Sequence, residues 1–145
     1  MKVKLEDVIE AIDFANDETE YYYSIKTEEI LMCFDGMING EENPEMEEDI
    51  EENFEDYIPL PGKYEIDEYN MMEEFIEKFP EGRVQDKLAD AIRVRGAFRR
   101  FKDTVYDLGI AQKWFDFRDH EYVRIAREWC KKHGVDIIED ASDKA

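Results

Sequence analysis

Apolar positions change their spacing several times along the chain, and each change predicts a different element. Leu5, Val8, Ile9 and Ile12 recur at helical spacing, and Asn16-Asp17 supplies the turn chemistry that ends this first helix. Tyr21-Tyr22-Tyr23-Ser24-Ile25 and Ile30-Leu31-Met32-Cys33-Phe34 are aromatic and β-branched runs on either side of Lys26-Thr27-Glu28-Glu29, which predicts two antiparallel strands and a short loop. An isolated hairpin is marginal in water, so this one must be covered. In Tyr57-Ile58-Pro59-Leu60-Pro61-Gly62, two prolines forbid both a helix interior and a central strand, and a seam is expected there.

Beyond the seam the helical period strengthens. Ile66, Tyr69, Met72, Phe75, Ile76 and Phe79 share one face, Asp67 is placed to cap the start, and Pro80-Glu81-Gly82 stops the run. The next helix starts near Arg83, carries Leu88, Ala91, Ile92, Phe98, Phe101, Val105 and Leu108, and ends at Gly109, with a kink or break expected around Arg95-Gly96 where its apolar face drifts. Trp114, Phe115 and Phe117 form a short aromatic turn. A last helix opens at Asp119, buries Tyr122, Ile125, Ala126, Trp129 and Cys130, and stops at Gly134 with Lys131, Lys132 and His133 against its C-terminal dipole. Residues 135–138 are a candidate third strand for the hairpin.

The pattern predicts an α+β fold: an N-terminal helix and antiparallel β-hairpin packed on a C-terminal bundle of three to four helices. A chain of 145 residues, 43% hydrophobic and 13% aromatic, fits a single domain with one core. Within it, residues 1–40 form the helix and hairpin, 41–56 an acidic linker, 57–138 the helical part and 139–145 a tail. Phe98, Phe101, Trp114, Phe117 and Trp129 are expected to pack as one cluster.

Charge adds an asymmetry. Residues 1–60 hold 20 acids against 3 bases and residues 61–145 hold 19 against 16, so most of the net charge of -20 lies in the first part. Residues 41–56 hold ten carboxylates and no base. One reading is a solvated segment, mobile or loosely helical, with Met46, Ile50 and Phe54 as its few anchors. The other is a docking surface for a basic partner, or a mimic of a nucleic-acid backbone. No run approaches the ~20 apolar residues of a spanning helix, and the N-terminus turns acidic where a secretion signal needs an apolar stretch. Cys33 and Cys130 stand far apart without ligand spacing, as reduced buried thiols do. A cytoplasmic protein without membrane partners is the expectation.

Motifs for catalysis and cofactors are missing. There is no Gly-x-Gly-x-x-Gly, and Gly62-Lys63-Tyr64 lacks the upstream glycine and the following Ser or Thr of a phosphate loop. His120-Glu121-Tyr122-Val123-Arg124 imitates a zinc-protease helix but has Arg124 where the second histidine must stand. Asp116 and His120 offer only two ligands one turn apart, and the acidic run lacks the alternating aspartates and glycine of a calcium loop. No catalytic residue, cofactor or metal is therefore assigned.

One constellation stands out. Arg93, Arg95, Arg99, Arg100 and Lys102 are five bases in ten residues with no acid among them. At ~100° per residue, Arg95, Arg99, Lys102 and Tyr106 line one edge of the apolar face. This is the candidate binding site: a row that grips phosphates or carboxylates, with Tyr106 as a hydrogen-bonding or stacking plane. The competing reading pairs these bases with the chain's own acids and makes Arg95, beside Gly96, partly buried against a carboxylate.

Gly96-Ala97-Phe98-Arg99-Arg100-Phe101-Lys102-Asp103, then Trp114, Phe117, Arg118 and Ala126-Arg127-Glu128-Trp129-Cys130, resembles the signature of an uncharacterised bacterial protein family, number one hundred and fifty-eight of the UPF series. Leu60-Pro61 and residues 69–75 extend the likeness over about residues 57–134. The resemblance implies a small cytoplasmic bacterial protein with no assigned reaction or cofactor. Taken together, these features point to a non-catalytic binding or regulatory protein acting through a protein partner. An anion or nucleic-acid binder using the 93–102 row is the alternative, and an enzyme of unassigned reaction a second one.

Overall fold

The computed structural model describes residues 1–16 and 18–138, so the expected tail at 139–145 and Asp17 of the first turn lie outside the described residues. The fold is α+β, with a five-stranded antiparallel sheet and helices on both sides of it in sequence. The chain divides into two compact units, Met1–Ile66 together with the stretch from Tyr122 onward, and Asp67–Glu121.

The first unit opens with β1 (Lys2–Lys4) and α1 (Leu5–Phe14), whose Val8, Ala11 and Ile12 are buried as the helical spacing requires. The hairpin is β2 (Thr19–Ser24) and β3 (Ile30–Phe34), in register Tyr21 with Met32 and Tyr22 with Leu31. Two further turns extend it. Asp35-Gly36 leads into β4 (Met37–Ile38) and Asn39-Gly40 into β5 (Glu41–Glu42), and all four turn residues have positive φ, as two-residue type I′ hairpins demand. On the other side of β2 lies β6 (Tyr57–Pro59), giving the order β5-β4-β3-β2-β6. The proline of β6 is tolerated because the strand is at the edge.

Residues 41–56, expected as a linker, instead form β5, helix α2 (Pro44–Glu52) and a 3₁₀ turn over Phe54–Asp56. Asn43 caps α2 by accepting from the Met46 N–H at 3.1 Å, and Pro44 takes the first helical position, where its missing N–H costs nothing. Two of the three apolar anchors dock: Met46 and Ile50 pack on Leu31, Ile38 and Tyr57, while Phe54 is 68% exposed. The Tyr57 hydroxyl donates to the Asp49 carboxylate, tying α2 to β6.

Residues 136–138 do not join the hairpin. Strand β7 (Asp136–Ile138) pairs in parallel with β1, because β4 and β6 already occupy both flanks of β2 and β3. Short helix α3 (Lys63–Ile66) follows β6.

The second unit contains α4 (Glu68–Glu77), α5 (Arg83–Ile92) and α6 (Ala97–Asp107). Asp67 caps α4 as expected, its carboxylate accepting from the Asn70 N–H at 3.2 Å. The expected aromatic turn and last helix are one continuous helix, α7 (Ala111–His133), since no glycine or proline interrupts that stretch. Its residues up to Glu121 belong to this unit, and the later ones to the first.

The expected five-residue aromatic cluster is corrected in part. Phe101, Trp114 and Phe117 do assemble, around Phe75, with ring centroids 4.8 to 6.2 Å apart. Phe98 is 45% exposed. Trp129 belongs to the first unit, where it meets the Tyr23 ring edge-on at 6.1 Å and its indole N–H donates to the Pro59 carbonyl at 2.9 Å.

Candidate functional site

The basic row is shaped by where the helix breaks. α5 ends at Ile92, residues 93–96 form a loop, and α6 restarts after Gly96, whose φ of 75° is left-handed. A side chain on Gly96 would meet nothing within 4 Å, so the glycine is required by this turn and not by a close neighbour. Helical arithmetic carried through the break therefore fails for Arg95, which stands on the loop. From Arg99 onward it holds: Arg99, Lys102 and Tyr106 share one face of α6 over about 10 Å.

All five bases are exposed. Arg93 meets Asp90 at 3.4 Å in a solvent-facing pair, and among the described residues Arg95, Arg99, Arg100 and Lys102 make no ion pair. The partly buried Arg95 with an acidic partner is thus not found, because the break lifts it off the apolar face. Arg95 also borders none of the concavities described below. Arg100 points away from Arg99 and lines a shallow groove of about 450 Å³ between α5 and α6, with Arg83, Lys87, Asp103 and Asp107. Tyr106, 61% exposed, turns its ring edge-on to Phe115 at 6.3 Å.

Two apolar residues interleave with the bases: Val94 is 48% and Phe98 45% exposed. Core-directed periodicity conceals them. The signal in the sequence is that each is flanked by arginine, in Arg93-Val94-Arg95 and in Phe98-Arg99-Arg100.

Elsewhere the chemistry is sparse. A concavity of about 930 Å³ in the first unit lies against α1 and the hairpin, and is lined by Lys2, Lys4, Glu10, Phe14, Tyr21 and Met32 among others, with no histidine or cysteine among its described lining residues. Burial pushes the Cys130 thiol above its ordinary value, and burial, followed by Glu20 and Glu47, pushes that of Cys33 up to about 11. Both are thereby poor nucleophiles near neutrality. Asp116 accepts from the Gln112 amide at 2.9 Å, and no group of three or more His, Cys, Asp or Glu that could hold a metal ion occurs among the described residues. Nor is any described helix long and apolar enough to cross a membrane.

The model of an uncharacterised protein family, UPF0158, matches residues 1–143, and the chain belongs to that family. No curated protein and no solved structure matches it.

Proposed function

We propose that this member of the UPF0158 family is a non-catalytic binding or regulatory protein of the bacterial cytoplasm, docking on an acidic face of a protein partner through residues 93–102. The observation that carries this reading is the row itself. Four exposed bases that make no ion pair among the described residues are interleaved along the chain with two half-exposed apolar side chains. Arginines interleaved with exposed apolar and aromatic side chains suit a protein-binding surface, where arginine and aromatic residues are enriched. Covering Val94 and Phe98 contributes roughly 1 kcal/mol each, and Arg95 and Arg99 bring forked donors suited to carboxylates. Among the described residues Arg95, Arg99, Arg100 and Lys102 have no ion-pair partner, so docking through them breaks no existing pair.

Charge favours a protein over a nucleic acid. The second unit holds 13 acids against 10 bases and the whole chain carries -20, so a polyanion meets five bases locally and net repulsion from the rest of the chain.

Affinity capture with the wild type and an Arg95/Arg99/Lys102 triple alanine variant, with and without nuclease, tests this. Proteins that resist nuclease and are lost with the variant are the expected result. Identical capture by both proteins overturns the reading, and loss on nuclease treatment transfers the row to nucleic acid.

A further inference from the structure

An acidic face of opposite charge is carried by the chain itself, on its first unit. Strands β2 to β4 and helix α2 enclose a cleft of about 300 Å³ with Tyr22, Cys33, Ile38 and Ile50 as its apolar lining. Its rim holds Glu18, Glu20, Asp35, Glu47 and Glu51, all exposed, and among the described residues no base lines it. Glu20 accepts the Tyr22 hydroxyl at 2.6 Å, whereas among the described residues the carboxylates of Glu18, Asp35, Glu47 and Glu51 have no hydrogen-bond or ion-pair partner. The negative field reaches the floor, where Glu20 and Glu47 reinforce burial in raising the Cys33 thiol. Phe34 and Met37, 41% and 37% exposed, stand beside the rim.

We propose that a second copy of this chain docks here, with Arg95 and Arg99 on the carboxylate rim and Val94 and Phe98 against Phe34 and Met37. The inference rests on the row being a surface for an acidic protein, and names that protein. Three features fit the two surfaces to one another. One is five bases without an acid, and the other five carboxylates without a base. Each carries two partly exposed apolar side chains. The cleft is at the small end of the ligand-pocket range, which suits a long side chain or two and excludes an extended polymer.

Copies that each carry -20 repel at long range. At about 0.15 M salt the screening length is ~8 Å, so distant charges are muted while touching ones still attract; at 1 M, ~3 Å, the attraction is largely lost. Because the row and the cleft are different surfaces, the contact is heterologous and gives a closed dimer or a longer assembly.

The test is sedimentation equilibrium of the full chain across the micromolar range, with circular dichroism confirming that each variant is folded. Wild type should exceed monomer mass at physiological salt and return to it at high salt. Arg95→Glu/Arg99→Glu and Glu47→Lys/Glu51→Lys should each be monomeric alone. Mixed together they should associate again, since the intact row of one meets the intact cleft of the other. A wild type that is monomeric throughout, a reversed variant that still self-associates, or folded variants that stay monomeric when mixed would each overturn the proposal. A monomeric wild type whose nuclease-resistant capture still depends on the row sinks the second copy as partner and leaves the proposed function standing.

Discussion

Phe98 and Phe101 sit three residues apart on α6 and are chemically identical, so removing each side chain measures its surroundings alone. Phe101 is fully buried, with Trp114 edge-on at 4.8 Å and Phe75 at 6.0 Å. Truncation to alanine removes the transfer free energy of the ring, two edge-to-face contacts of ~0.5–1.5 kcal/mol each, and leaves a cavity. The expected total is ~3–5 kcal/mol. Phe98 keeps 45% of its surface in water, so Phe98→Ala forfeits about half of a burial of ~1.5–3 kcal/mol and opens no enclosed void, for roughly 1 kcal/mol. With a urea m-value of ~1–3 kcal/mol/M, the two midpoints should differ by on the order of 1–2 M. Urea titrations of both variants, followed by circular dichroism, read this directly. Equal midpoints, or a larger loss for Phe98→Ala, would refute the assignment of Phe101 to the core and Phe98 to the surface.

Two further outcomes concern the first unit. Ile50→Asp should abolish the docking of α2 on Leu31, Ile38 and Tyr57 and destabilise the unit by ~3 kcal/mol or more, because it places a charge against that apolar cluster; unchanged melting would return residues 41–56 to the status of a dispensable linker. Burial, with the Asp49 carboxylate next, holds the Tyr57 hydroxyl up at about 12 against an ordinary 10.0, so the folded state keeps a proton the unfolded chain gives up, and stability must fall as pH rises from about 10 to about 12. Tyr22, also raised to about 12, contributes to the same slope, so Tyr57→Phe should lessen the alkaline loss without removing it; identical alkaline denaturation in wild type and variant would exclude this account.

Elements whose own side chains set their period were legible in the sequence. The buried stripe of α1, the cap of α4 at Asp67 and the pairing of β2 with β3 all follow from residues within each element. The shorter strands were not, since two or three residues carry no period. Glu41 and Glu42 read as charge, yet become β5 because Asn39-Gly40 folds them back on β4. Asp35-Gly36 and Asn39-Gly40 are among the strongest hairpin signals a sequence holds, and they are easily passed over beside a run of carboxylates. The same run concealed α2. Its helix rests on an asparagine cap, a proline at the first position and two apolar side chains on one face, which together overcome the mutual repulsion of its acids.

The basic row shows the converse limit. Its composition was legible because five bases without an acid survive any folding of the backbone, but its geometry turned on the single left-handed residue Gly96. A kink there would have kept Arg95 beside the core; a full break puts it on a loop and opens Val94 and Phe98 to solvent with it. The cleft was beyond reach for a different reason. Glu18, Glu20, Asp35, Glu47 and Glu51 come from β2, the segment before it, a turn and a helix, and only the stacked hairpins bring them around one apolar floor. Abundant carboxylates carry no information by number. Their distribution around a concavity without a base does, and that distribution exists only once β3 and β4 have paired and α2 has docked. The two charged surfaces therefore depend on folding differently. Ile50→Asp, which undocks α2, should disperse the cleft while leaving the 93–102 row unchanged, because that row is built entirely within α5, α6 and the loop between them.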